Sequence, residues 1–243
     1  MPKVPAISVV IPVFDEAGNI AGLVQEISAA LSDISHEILC VDDASRDDTL
    51  TVLKDLKKDY TQLRVLSHRQ NSGQSRALRT GILAAHSPVI VTLDGDGQND
   101  PADIPGLYDH FSRKDRPENL GLVGGRRVKR QDNMGKKLAS KIGNSVRRQL
   151  LKDEADDTGC GLKLFDRAAF LRLPYFDHIH RYLPALMLRE GYACEYRDVN
   201  HRSRQHGVSK YTNFGRLIVS LSDLLGVIWL RRRARNPQGW DEL

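Results

Sequence analysis

The chain has 243 residues, 40% hydrophobic and 28% charged, enough for one sizeable core and better suited to one large α/β domain than to two small ones. Three widely spaced cysteines, Cys40, Cys160 and Cys194, argue against a disulfide framework or a zinc site and point to a reducing, cytoplasmic compartment. The net charge of +5 is uneven: residues 1–120 carry 12 Lys and Arg against 18 Asp and Glu, whereas residues 121–243 carry 24 against 13.

In chain order, Ile7 to Val13 reads as an apolar strand ended by Phe14-Asp15-Glu16. Asn19 then offers a helix cap, followed by Ile20, Leu23, Val24, Ile27 and Leu31 at helical spacing. His36 to Val41 is a second strand, ending in Asp42-Asp43. A helix around 48–59, a strand at Arg64–Ser67 and a helix over Ser75–Ala85 lead to the strand Val89–Leu93, which ends in Asp94-Gly95-Asp96-Gly97-Gln98. Alternating strands and helices predict a mostly parallel central sheet flanked by helices. No leader precedes the first strand, and no apolar run approaches the roughly 18–20 residues of a spanning helix.

Three strand ends in succession thus carry acidic clusters. In an open α/β sheet ligands bind at the carboxyl ends of the strands, and paired carboxylates are hard oxygen ligands for Mg²⁺ or Mn²⁺. A single D-x-D is equally a polar turn; three such ends in series favour a site. Neither G-x-G-x-x-G nor G-x-x-x-x-G-K-[ST] occurs, so a nucleotide diphosphate would depend on a metal and on basic side chains. The basic second half fits an anionic substrate or a membrane surface. It carries no nucleic-acid motif and few aromatics for stacking, so nucleic acid is not the expected partner.

The runs Val-Val-Ile-Pro-Val-Phe-Asp-Glu, Val-Asp-Asp-Ala-Ser-Arg-Asp-Asp-Thr and Asp-Gly-Asp-Gly-Gln resemble family 2 glycosyltransferases of the GT-A fold. Val123-Gly124-Gly125-Arg126, Asp157-Thr158-Gly159-Cys160-Gly161 and Arg204-Gln205-His206-Gly207-Val208-Ser209-Lys210-Tyr211 resemble the dolichol-phosphate mannose synthase branch and its bacterial polyprenyl-phosphate counterparts. The resemblance implies a donor pocket at Pro12, Phe14, Glu16, Val41 and Asp43. It implies a metal and diphosphate site at Asp94, Asp96 and Gln98, with the Gly95 backbone close by. The acceptor phosphate would meet Arg126, Lys136 and Ser140, and Arg204 and Lys210 would approach the phosphates from the other side. Asp94, Asp96, Arg126, Arg204 and Lys210 would carry the reaction. Phe14-Asp15 stands where the family often has Tyr-Asn, Lys136 where arginine is common, and Asn99-Asp100 where His-Pro is frequent.

The implied reaction is inverting transfer of one sugar from a nucleotide-sugar, GDP-mannose favoured and a UDP-sugar the alternative, to a dolichyl or undecaprenyl type phosphate. It would run at the cytoplasmic membrane face with Mg²⁺ or Mn²⁺, and it leaves open a membrane partner subunit or a homo-oligomer. Arg127, Lys129, Arg130, Arg147 and Arg148 read as solvated or membrane-facing charges, His180, His201 and His206 as surface or structural histidines, and Asp157 as a cap or a site residue. A helix from about Met134 to Leu151 carries apolar residues at i+4 spacing. Residues 1–212 form the expected transferase domain. Residues 213–235 form an amphipathic interfacial helix, with Phe214, Leu217, Ile218, Leu221, Leu224, Leu225 and Ile228 as one broad stripe, followed by Trp229 and a run of arginines. Rival readings lack their marks. A processive synthase needs Q-x-x-R-W, a nucleotidyltransferase a glycine-rich loop after the first strand, and a haloacid-type phosphatase its D-x-D in the first strand. A basic membrane-binding module without catalysis is the non-enzymatic alternative.

Overall fold

A computed structural model of the chain describes residues 4–128, 147, 149–153, 155, 157–203, 213–235 and 241; in the last helix, side chains are described from residue 221 onward. The first half alternates as expected: β1 (Ile7–Val13), α1 (Ala17–Ala30), β2 (His36–Asp42), α2 (Thr49–Asp59), β3 (Leu63–Ser67), α3 (Gln74–Ala84) and β4 (Val89–Thr92). The 3₁₀ turn Pro101–Asp103 leads into α4 (Ile104–Ser112) and β5 (Leu120–Arg127). Then come β6 (Lys163–Asp166), α5 (Arg167–Arg172), the 3₁₀ turn Ile179–Arg181, α6 (Leu183–Arg189), β7 (Ala193–Val199) and α7 (Asn213–Arg233).

The seven strands lie in the order β3-β2-β1-β4-β6-β5-β7. β1 is parallel to β2 and β4, and β2 to β3; β6 runs antiparallel to β4 and β5, and β5 parallel to β7. Period-two alternation splits β1 between two cores. Ile7, Val9, Ile11 and Val13 pack with Ile20, Leu23, Val24 and Ile27 of α1 and with α4, whereas Val10 faces α3, α5 and α6. Burial on both faces is what makes the strand read as a continuous apolar run.

Three expectations change here. α1 begins at Ala17, ahead of Asn19. The Ala17 amide donates to Asp47 Oδ2 at 3.2 Å, and Asn19 Nδ2 donates to Glu16 Oε2 at 2.7 Å, so an acid from the neighbouring turn does the capping. Arg147 is buried, not solvent- or membrane-facing, with Nη1 and Nη2 on Asp153 at 2.6 and 3.1 Å. The broad stripe of α7 divides: Val227 is buried, with Leu224, Ile228 and Leu230 packed beside it, while Leu221, Leu225 and Trp229 are about 60% exposed. The stripe's members Phe214, Leu217 and Ile218 have side chains outside the described residues. Most of the expected Met134–Leu151 helix, with Lys129, Arg130 and Arg148, also lies outside them. Among the described residues no helix is long and apolar enough to cross a membrane.

Candidate active site

The sheet order sets the ends of β2, β1 and β4 side by side, so the three acidic clusters share one rim. Above that rim lies a cleft of about 530 Å³, within the range of small-molecule sites. Pro12, Phe14, Glu16, Asp43, Asn71 and Gln74 line one end, Asp94, Gly95, Asp96 and Gln98 the middle, and Thr158 to Gly161, Lys163, His180 and Arg181 the far wall.

Most of the acids at the first two strand ends build turns. Asp15, at φ 51, accepts from the Arg46 amide at 2.6 Å and has its own amide on Ser45 Oγ at 3.0 Å. Asp42 accepts from the Ser45 amide and from Ser67 Oγ at 3.1 Å each, and Asp47 caps Thr49 and Ala17. The two loops are therefore interlocked and the rim is preorganised. Asp43 instead spans toward α3: its carboxylate accepts from the Ser72 and Gly73 amides at 2.9 and 2.7 Å, with His68 Nδ1 at 2.6 Å. It fixes the start of α3 and so the position of Gln74.

The D-x-D turn is set by Gly97 at φ 72. Asp96 Oδ1 accepts from the Gln98 amide at 3.1 Å, and Gln74 Nε2 donates to Asp94 Oδ1 at 2.8 Å. Burial first, and the Asp96 charge second, push the Asp94 carboxyl up to about 6, against the pull of Lys163, Arg127 and the Gln74 hydrogen bond. Two carboxylates that strain each other in this way, with an amide oxygen nearby on Gln98, are a donor set that a divalent cation would relieve. Among the described residues no cluster of three or more His, Cys, Asp or Glu could hold a metal alone.

Of the far wall, the 157–161 run was marked by its motif with no role given to Gly161, and Lys163 and Arg181 were missed. Gly161 lies so close to Asp94 that an added Cβ would stand 2.5 Å from the carboxylate carbon and 2.9 Å from Asn99 Oδ1. Lys163 is buried, its Nζ donating to the carbonyls of Cys160 and, at 3.4 Å, Thr158; burial lowers its pKa. Asp157 holds Arg127 in a two-pronged pair at 2.6 and 2.7 Å, so Arg127 is a loop anchor and not a solvated charge. Lys163 opens β6, two residues after Gly161; a buried lysine there has no periodic signal in the sequence.

Of the expected donor residues, Pro12, Phe14, Glu16 and Asp43 line the cleft with Asp94, Gly95, Asp96 and Gln98. Val41 does not: it is wholly buried, against Gly81 of α3. Arg126 is exposed and donates to Asp198 at 2.6 Å, beyond the cleft lining. Lys136, Ser140, Arg204, His206 and Lys210 lie outside the described residues. The described residues just before Arg204 are tied to the D-x-D turn. His201 bridges Asn99, the Arg202 amide donates to Gln98 O at 2.9 Å, and the Arg202 guanidinium clamps Asp100 and Glu26 at 2.6 Å each. His201 and Arg202 thus lie beside the D-x-D turn.

A sequence profile of Glycosyl transferase family 2 matches residues 8–173. Dodecaprenyl-phosphate galacturonate synthase of Rhizobium johnstonii is 32% identical over 237 residues, 95% of this chain and 69% of that protein. An undecaprenyl-phosphate 4-deoxy-4-formamido-L-arabinose transferase of Pectobacterium atrosepticum is 34% identical over 223 residues, 90% of this chain and 66% of that protein. The chain spans about two thirds of the length of these curated relatives. Among solved structures, glucosyl-3-phosphoglycerate synthase from Mycobacterium tuberculosis with Mn²⁺, UDP and glucosyl-3-phosphoglycerate superposes at TM-score 0.69 and 18% identity, covering 96% of this chain and 82% of that one. A mannosyltransferase from Pyrobaculum calidifontis with GDP-Man and Mn²⁺ gives 0.67 and 18%, covering 98% and 67%. At these identities the likeness establishes the GT-A type of fold alone.

Proposed function

Because the chain belongs to glycosyl transferase family 2, we propose that it transfers one sugar from a nucleotide-sugar to a polyprenyl phosphate, with inversion at the anomeric carbon. The observation that carries the reading is the single rim on which β1, β2 and β4 deliver donor-pocket residues and the Asp94–Asp96 pair into one cleft. Its acceptor class is supported by the two relatives, both named for polyprenyl-phosphate products or substrates. A lipid phosphate is already anionic near neutral pH, its second pKa being about 6, so no strong general base is needed. The task left to the protein is to hold two anions together.

Pro12, Phe14, Glu16 and Asp43 would seat the nucleoside, with Asp43 kept rigid by the start of α3. Asp94, Asp96 and Gln98 would hold Mg²⁺ or Mn²⁺, which when bound neutralises the leaving diphosphate. Gln74 orients Asp94 from one side and Gly161 leaves room for it on the other. Arg204 and Lys210, on a chain that leaves Gln98 through the Arg202 clamp, would face the phosphates, with Arg126, Lys136 and Ser140 toward the acceptor. Arg126 would have to exchange Asp198 for a phosphate to take that role.

GDP-mannose was the donor favoured by resemblance. The relatives' names carry galacturonate and a formamido-arabinose instead, so we take the UDP-sugar alternative ahead of mannose. We assign α7 to the membrane interface at the cytoplasmic face, its Leu221, Leu225 and Trp229 outward and Arg231, Arg232 and Arg233 after them. The test is a screen: protein, Mn²⁺ or Mg²⁺, undecaprenyl phosphate and a panel of UDP- and GDP-sugars, with the lipid product identified by mass. A glycosyl phospholipid is the expected product. Release of free sugar with no glycosylated lipid from any donor overturns the reading.

A further inference from the structure

The 3₁₀ turn Ile179–Arg181 brings an arginine into the cleft wall whose charge nothing in the account above uses. Arg181 is half-buried and lines the cleft, and among the described residues no carboxylate pairs with it. Its neighbour His180 is fixed by Nδ1 on the Oγ of the buried Ser75 at 2.7 Å. Burial, then the positive charges of Arg181, Lys163 and His178, hold His180 well below the usual imidazole pKa, so it faces ligand as a neutral ring. The turn itself is pinned. His178 sits at φ 62 and meets Asp223 of α7 at 3.1 Å, Ile179 is buried, and the Arg181 amide donates to His178 O at 3.0 Å.

Position says what the arginine meets. Along the rim, the nucleoside end lies over β2 and β1, and the Asp94–Asp96 pair follows at β4. The next wall carries Gly159, Gly161, His180 and Arg181. A nucleotide-sugar laid in that order, base, ribose, diphosphate, sugar, brings its sugar to this wall. A guanidinium in a partly desolvated wall, with no carboxylate partner among the described residues, is matched best by a planar carboxylate, which it can grip with two parallel hydrogen bonds. We propose that Arg181, with His180 beside it, reads the donor sugar, and that the sugar it selects carries a carboxylate, as in a nucleotide-linked uronic acid. This rests on the transferase reading and adds the class of donor to it.

The test uses the full chain with Mn²⁺ and three ligands: UDP, UDP-galacturonate and its neutral counterpart UDP-galactose. Calorimetric titration should give UDP-galacturonate about a tenfold advantage over UDP-galactose in the wild-type protein, the scale of one charge-assisted hydrogen bond. Arg181→Ala should abolish that advantage while leaving UDP affinity within about twofold, and Arg181→Lys, which keeps the charge without the fork, should restore part of it. Unchanged UDP binding also shows that the variant is folded. Equal binding of the two sugars by the wild type overturns the proposal. So does an Arg181→Ala loss that falls equally on UDP, which would place the guanidinium on the diphosphate. Transfer of mannose from GDP-mannose to undecaprenyl phosphate, with none of galacturonate, overturns it too while leaving the transferase reading intact. Absence of lipid transfer from every donor would instead strike that reading.

Discussion

Gly161→Ala tests how the Asp94 carboxylate, proposed to hold the metal, is placed without substituting any polar group. The new methyl would stand 2.5 Å from Asp94 Cγ and 2.9 Å from Asn99 Oδ1, where ordinary contact begins at 3.4 Å. Relief requires the Asp94 carboxylate to retreat by about 1 Å, or the backbone of the 158–161 loop to shift by as much. The loop is held by the Lys163 bonds to the Thr158 and Cys160 carbonyls, and Thr92 Oγ1 donates to Gly161 O at 2.9 Å. Among the described residues, the hydrogen bonds that hold Asp94 are the one from Gln74 Nε2 and that of its own amide to Asn99 Oδ1. The side chain is therefore the part that gives. Misplacing a reacting group by about 1 Å costs on the order of 100-fold in rate, while overpacking costs about 1–3 kcal/mol of stability. The assay pairs the rate of sugar transfer and Mn²⁺-dependent UDP affinity with a thermal melt. Gly106→Ala in α4, where an added Cβ meets nothing within 4 Å, serves as the control and should be neutral or slightly stabilising. A Gly161→Ala protein with wild-type rate and wild-type Mn²⁺ dependence would refute the placement of Asp94 at the metal.

Three further outcomes follow from the same structure. Arg147→Ala leaves the Asp153 carboxylate buried and unpaired and should cost about 3–5 kcal/mol in chemical denaturation; a loss confined to vesicle binding would contradict the buried pair. Glu37 is buried, which opposes ionisation. Bonds from Ser8, the His86 amide and Arg64, with the Arg64 charge, outweigh burial and hold its pKa below the usual carboxylate value. Its contribution to stability is present above the unfolded value of about 4.3 and is lost as pH falls through the lower folded value; Glu37→Gln should flatten that acid limb of a stability–pH curve, and an unchanged limb would count against it. Replacing Leu221, Leu225 and Trp229 together by Ser should abolish binding to anionic vesicles without lowering the melting temperature, because all three face outward. In the unmodified chain high salt should release part of the bound protein, each arginine of the run contributing about 1 kcal/mol near an anionic surface; full vesicle binding by the triple variant would remove α7 from the interface.

The first half of the chain was legible because its signals are local. A parallel strand buried on both faces is a continuous apolar run, and each helix repeats its buried residues at three and four. The boundaries of β1, and to within one residue those of β2 and β4, and the shared rim could be read from Ile7 to Gln98 on that ground alone. What failed depended on partners far along the chain. Asn19 looked like a cap because Asp47, which does the capping, is 28 positions away in another turn. Arg147 looked solvated because Asp153, its partner, carries no periodic signal. The stripe on α7 was drawn too broad, since period alone does not say that Leu224 and Ile228 meet α6 while Leu221 and Leu225 face outward. Most of the far wall's roles were hidden for the same reason, although the 157–161 run stood out as a motif. Gly161, Lys163, His180 and Arg181 lie on the antiparallel return of β6 beside β4 and on the 3₁₀ turn after it, whereas Gln74 reaches Asp94 from the start of α3.

The most direct measurement of the central claim compares two acceptors that differ only in the phosphate. With Mn²⁺ and a labelled nucleotide-sugar, label should enter the organic phase with undecaprenyl phosphate, fall by orders of magnitude in EDTA or in Asp96→Asn, and be absent with undecaprenol. Equal transfer to the alcohol, or undiminished transfer in EDTA, would contradict a cleft built to join two anions.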